Sequence, residues 1–219
     1  MNLSELVEAV VKVVQDDDFD EEYIVKLLNR GMLRIAGGMK RPDSFTLTQP
    51  LPDLYTVATI ATVTTTNHVA LPVNYQRALV LACNSTGSEI GIHDSFHEFS
   101  KIYPLGSYPG AVYNIGVKGR SLYYYGVPSV AETITIHYHR YPEEMSSDND
   151  EPDGLPPEFH HSLLVNFSCA EIERLKEDGI DGNEFNTKRY SDLFQLGLLE
   201  LDASLPADGM VFTTSQSTH

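Results

Sequence analysis

Residues whose types and spacing could do chemistry crowd into one stretch, HYHRYPEEMSSDNDEPDGLPPEFHH, residues 137–161. It holds His137, His139, His160 and His161, half of the chain's eight histidines. His137 and His139 stand two apart. On a β-strand alternate side chains share a face, so both imidazoles could reach one metal ion. Glu143 completes the spacing His-x-His-x-x-x-Glu. Asp148, Asp150, Glu151 and Asp153 follow, with the oxygen donors that hard cations such as calcium prefer.

Each pattern has a competing reading. The histidine spacing is similar to the core of the first metal-binding motif of cupins, carried on a strand of a β-barrel. Its surroundings depart from that motif: Ala131 and Asp150 stand where glycines belong, and no later motif supplies a third histidine. The alternative is a strand with Ile134, Ile136 and Tyr138 inward and Thr135, His137, His139 and Tyr141 outward, holding no metal. As a calcium loop the acidic run puts Pro152 at a ligand position and Gly154 one place late for the turn, so it reads as an exposed acidic loop. His160 and His161 fall in the first turn of a helix. A protonated histidine opposes the dipole there, so both are expected at the surface or an interface. Gly-x-Ser-x-Gly, P-loop and dinucleotide motifs are absent. Cys83 and Cys169 fit no zinc spacing and no Cys–His nucleophile pattern, and read as small buried thiols in a reducing compartment. These patterns lead to no expected catalytic residue, cofactor or metal ligand.

Charge narrows the classes further. Thirty-one Asp and Glu against fifteen Lys and Arg give the 219-residue chain a net charge of −16. Affinity for nucleic acid comes largely from Lys and Arg displacing counterions, so this chain is not expected to grip DNA. The opening MNLSELVEAV lacks the basic and apolar regions of a signal peptide. No apolar run reaches the roughly 20 residues needed to cross a bilayer. A soluble protein made in a cytoplasm is expected.

The elements that must position these residues follow from periodicity. Residues 2–15 predict a helix with an Asn2–Glu5 capping box, and 20–36 a second with Ile24, Leu27, Leu28, Gly31 and Ile35 on one face. From 45 to 141 β-branched residues dominate and strands are expected. RALVLAC (77–83) reads as a strand buried on both faces, and Lys118-Gly119-Arg120 as a hairpin turn. A short helix capped by Ser95 and Glu98 interrupts the strands. Pro157 opens a third long helix that ends at Gly179, and a fourth spans about 183–201. The fold class is therefore α+β: a helical bundle from 1–44 and 142–202, with an antiparallel β-barrel or sandwich inserted at 45–141. Residues 203–219 read as an extended tail.

Taken in order, several segments resemble one known family. They are YIVKLLNRGM with Asn29; VALPVNYQRALVL, with Leu71-Pro72 before a strand; GSYPGAVYNIGVKGRSLYYYGVPS, a Gly/Pro-Tyr hairpin; and the strand, acidic loop and Pro-opened helix of ITIHYHRYPEEMSSDNDEPDGLPPEFHHSLLVNFSCAEIERLKEDG. Over about residues 20–180 the chain resembles the head-to-tail adaptor (connector, or head-completion) proteins of tailed bacteriophages. That resemblance implies a non-enzymatic virion protein at the head–tail junction. It implies a dodecameric homo-oligomer ring under the portal that extends the DNA channel and docks the tail or a tail-completion protein. DNA would pass through without specific binding, which the net charge suits.

Two other readings stay open at this point. One is a cupin-like metal-dependent enzyme using His137 and His139. The other is a carbohydrate-binding tail module stacking sugars on Tyr123, Tyr124 and Tyr125. For the connector reading, Asp148, Asp150, Glu151 and Asp153 are expected to form a mobile loop beside the channel or at the tail-docking rim. Met210, Val211 and Phe212 form a short β-prone run within a tail of little charge. Such residues suit an extended strand added to a partner's sheet edge, and the resemblance implies the portal as that partner.

Overall fold

The computed structural model describes residues 1–15, 19–37, 45–103, 108–177 and 184–205. In chain order its elements are α1 (Leu3–Val14), α2 (Glu21–Ile35), β1 (Tyr55–Ala61), β2 (His68–Ala70), β3 (Tyr75–Cys83), β4 (Gly91–His93), α3 (Phe96–Ile102), β5 (Asn114–Lys118), β6 (Ser121–Tyr125), β7 (Thr133–Arg140), α4 (Asn166–Glu177) and α5 (Phe185–Ser204). Contacts divide them into two units. A helical unit takes Met1–Leu51 and the chain from Pro142 on; a β unit takes Pro52–Tyr141.

In the helical unit, local chemistry sets the helix starts. Asn2 accepts from the Glu5 N–H at 3.0 Å while the Glu5 carboxylate accepts from the Asn2 N–H at 3.0 Å, a reciprocal cap. Asp20 caps α2 through the Tyr23 N–H at 2.7 Å. Leu3, Leu6, Val7, Val10 and Val14 of α1, and Ile24, Leu27, Leu28, Met32 and Ile35 of α2, form buried stripes at helical spacing. Both helices pack on α4, as does α5. Gly31 makes the α2 approach possible: a Cβ there would stand 3.0 Å from the Phe167 ring. Arg34 lies over Phe167 and Phe194, 5.9 and 5.4 Å from the ring centroids.

The helix opened by Pro157 departs from the sequence expectation. It begins with a 3-10 turn, Pro157–Phe159, passes through a π-helical segment, His160–Val165, and becomes α-helical only at Asn166. The Asn166 backbone N–H bonds Leu163 O, and its side-chain amide instead donates to Ser162 O at 2.7 Å. One side chain thus satisfies a carbonyl that regular α-geometry would have paired with the backbone. At the other end of the chain, α5 runs to Ser204, beyond the expected stop at 201, because Leu201 remains buried and the Ser204 hydroxyl bonds Leu201 O at 2.7 Å.

The β unit contains two sheets, ordered β1-β7-β3 and β2-β6-β5-β4, and neither closes into a barrel. Nor is the strand pairing wholly antiparallel, since β4 pairs β5 in parallel. Ile60, Leu71, Ala82, Ile90, Ile115, Leu122, Tyr124, Ile134, Ile136 and Tyr138, drawn from both sheets, join in one buried cluster. β3 is not the doubly buried strand its apolar run suggested. It is an edge strand whose register against β7 shifts three times, and among its described side chains only Ala82 is fully buried. The β5–β6 hairpin pairs Lys118 with Ser121, leaving Gly119 at φ +60° and Arg120 as its turn.

Candidate functional site

The acidic stretch is bonded to α1 and α2 through its backbone groups. The Asn29 side chain on α2 reads both backbone groups of Met145, donating to its carbonyl and accepting its N–H, each at 2.9 Å. Asp150 O accepts from the Leu3 N–H at 2.8 Å and Asp148 O from the Ser4 N–H at 3.1 Å. A helix start leaves its first N–H groups without intrahelical partners. Here the loop carbonyls take the first two, and Asn2 takes the third.

The carboxylates of the loop divide by use. Asp150 accepts from the Ser146 and Ser147 N–H groups, each at 2.8 Å, which hold its carboxyl below the usual carboxylate range. Asp153 accepts from the Glu143 N–H at 2.8 Å. Asp148 and Glu151 are exposed to solvent. Proline and glycine flank these residues, but the bond from Asn29 spans 116 positions and has no local signature.

His160 is a correction. It is 1% exposed, with Nε2 2.8 Å from Leu155 O and Nδ1 3.1 Å from Met1 O. The short turn of Pro157–Phe159 carries it inward, where the backbone satisfies the ring. His161 is exposed.

His137 and His139 lie on the partly exposed face of β7, opposite buried Ile134, Ile136 and Tyr138. His137 Nδ1 is 2.5 Å from the Tyr55 hydroxyl, whose pKa burial raises, and the Tyr55 ring also packs against His139. Among the described residues no three His, Cys, Asp or Glu side chains group as a metal would require.

Tyr123, Tyr124 and Tyr125 do not make one platform. Tyr124 points into the core, 1% exposed, with its hydroxyl 2.8 Å from Thr66 O and accepting from the Val63 N–H at 3.0 Å. Tyr123 packs on His68 and Phe96, and Tyr125 on Tyr103 and Tyr108, on the opposite face.

Some functional geometry escaped the sequence reading. α5 has no side-chain cap of its own, and Glu177 at the end of α4 supplies one, accepting from Asn186 N at 3.0 Å and Thr187 N at 3.1 Å. The Thr187 hydroxyl beside it, with those N–H groups, holds the Glu177 carboxyl below its ordinary range. Burial, with Glu173 nearby, pushes the Cys169 thiol up to about 12, while Cys83 is half-buried.

Two surfaces of the helical unit remain. A groove of about 410 Å³ lies along α1 and the start of α2, lined by Leu3, Val7, Val11 and Val25 with Glu8, Lys12, Glu21 and Asp148. α5 buries Phe194, Gly197, Leu198 and Leu201 but exposes Phe185, Leu193, Leu196 and Leu199. Met210, Val211 and Phe212 lie outside the described residues.

The chain belongs to the SU10 adaptor protein family, whose family model matches residues 1–213. No curated protein matches it. Membership is consistent with a phage head-to-tail adaptor, and implies a virion component and a structural rather than enzymatic protein. No described helix is long and apolar enough to cross a membrane.

Proposed function

We propose that this chain is a head-to-tail adaptor that forms a ring of identical copies, dodecameric as the family resemblance implies, seated under the portal. The ring continues the DNA channel and offers the tail, or a tail-completion protein, its docking surface. The family match over residues 1–213 carries this reading. The net charge of −16 supports it, because a conduit must let DNA slide without holding it. In this reading the helical unit, which extends to Leu51 and resumes at Pro142, is the ring-forming bundle and Pro52–Tyr141 the inserted β domain. The tail beyond Leu205 reaches the portal through Met210, Val211 and Phe212. Of the acidic loop, exposed Asp148 and Glu151 are the charges free to face a neighbouring copy, the channel or the docking rim; Asp150 and Asp153 hold the loop together.

The test uses portal-filled heads. Because α5 runs to Ser204, the clean truncation removes residues 206–219. The full chain is expected to bind heads as a ring visible by electron microscopy and to restore tail attachment. The truncated chain is expected to stay folded and soluble yet fail to join the heads. Normal attachment by the truncated chain would overturn the role of the tail. A full chain that binds heads as single copies would overturn the ring.

A further inference from the structure

The outer face of α5 has a spacing that its inner contacts do not use. Phe185, Arg189, Asp192, Leu196, Leu199 and Ala203 follow one another at intervals of four and three, the period of a helix seam that packs against other helices. All six are exposed, with Phe185 at 71%, Leu196 at 52% and Leu199 at 49%. Lys188 and Arg189 give this face adjacent positive charges in a strongly acidic chain.

The groove on α1 and α2 has complementary chemistry. Its lining joins apolar Val7, Val11 and Val25 with the carboxylates of Glu8, Glu21 and Asp148. One of these charges is already matched, since Lys12 lies 2.7 Å from Glu8. Glu21 and Asp148 remain for a basic partner. α5 cannot turn its outer face into the groove of its own chain: Phe194, Leu198 and Leu201 bury its inner face, Glu177 caps its start from α4, and α4 packs against α1 and α2. Both halves of the contact are nevertheless on this chain.

We infer that the outer face of α5 docks in the α1–α2 groove of a second copy, with Leu196 and Leu199 over Val7, Val11 and Val25 and with Lys188 and Arg189 toward Glu21 and Asp148. The contact joins two different patches, so it is heterologous and propagates from copy to copy until it closes. It is a helix laid in a groove, the apolar stripe giving affinity and the charges fixing direction. The inference rests on the ring reading above and names its surfaces.

Two variants test it. Leu196→Asp with Leu199→Asp breaks the face and leaves the groove; Val11→Asp breaks the groove and leaves the face. Each alone is expected to weaken self-association at least about 30-fold. Mixed, they retain one good face and one good groove, and are expected to form a one-to-one dimer that grows no further. A groove variant that still dimerises by itself would mean α5 pairs with α5, and overturns the inference. If both variants assemble on portal-filled heads as the wild type does, the contact is wrong and the ring stands. If the wild type arrives there as single copies, the ring and the contact fall together. A second measurement does not depend on disruption. In a Cys83→Ser background, where Cys169 is buried, Val11→Cys with Leu196→Cys is expected to give a ladder of chains joined by a short bismaleimide. No ladder on tail-bearing heads overturns the contact.

Discussion

The two units solve the same problem, satisfying polar backbone inside a core, by different means. In the β unit strand ladders do most of it: β7 pairs β1 along its length and β3 on its other side, and β6 pairs β2 and β5. Side chains intervene where the ladder stops. The Tyr124 hydroxyl serves the Val63–Thr66 turn, and Thr62 pairs with the Glu132 backbone through its own N–H and its hydroxyl. In the helical unit each helix satisfies itself, and the ends and the long loop are left. Sequence-distant side chains close them: Asn29 on Met145, Glu177 on the start of α5, Gln195 on Phe45 and Asp202 on Thr48. The β unit is therefore held by continuous pairing, and the helical unit by a few discrete polar stitches around an apolar centre.

That difference predicts where a single change is felt. Tyr124 is the largest fully buried side chain among the described residues, and its ring fills the core of the β unit while its hydroxyl closes a turn. Tyr124→Ala is expected to cost about 3–5 kcal/mol through the cavity and the lost bonds. Amide hydrogen exchange is the readout. Protection should fall across Pro52–Tyr141 and survive in α1, α2 and α4. Equal loss in both units would mean that they do not open independently, and the contrast drawn above would fail.

How much of this was legible in the sequence follows from the same contrast. The apolar stripes of α1 and α2, with the Asn2 cap, could be read because each signal lies within a few residues of its effect. The alternation of Ile134, Ile136 and Tyr138 against His137 and His139 could be read from the period of two. β3 misled because an apolar run looks the same at a sheet edge as at its centre. His160 misled because a helix starting with a 3-10 turn and a π segment rotates its first residues away from the α-helical expectation. The stitches were invisible for a different reason: nothing near Asn29 announces a partner 116 residues away. The acidic loop looked mobile in sequence, although four of its backbone groups, both of Met145 and the carbonyls of Asp148 and Asp150, bond to α2 and α1. As a candidate site it showed its charge but not which carboxylates were free.

Removing one stitch sharpens the comparison at a smaller cost. Asn29→Ala leaves the buried Met145 N–H and carbonyl without their partner, expected to destabilise the helical unit by about 1–3 kcal/mol. Because the same loop supplies Asp148 O and Asp150 O to the start of α1, protection should drop at Leu3 and Ser4 although neither touches Asn29. A loss confined to Met145 would show that the loop holds α1 without the α2 stitch.

The smallest effect is the most selective, because it depends on pH. The Asp150 and Glu177 carboxyls are both held below the ordinary range by hydrogen bonds they accept, and both lie in the helical unit. Near the ordinary carboxylate pKa, about 4, each binds fewer protons folded than unfolded, so unfolding takes protons up. Their contribution is present above that pH and is lost as the pH falls through the folded values. Asp150→Asn with Glu177→Gln should therefore be less stable than the wild type at neutral pH, and the gap should close on acidification as the wild type loses the advantage the variant lacks. Protection at Ser146, Ser147, Asn186 and Thr187 reports it directly, since those N–H groups are the donors. A gap that stays constant from neutral pH to well below 4 would mean the substitutions act by shape alone. The polar stitches would then owe nothing to charge, and the helical unit would differ from the β unit only in where its bonds run.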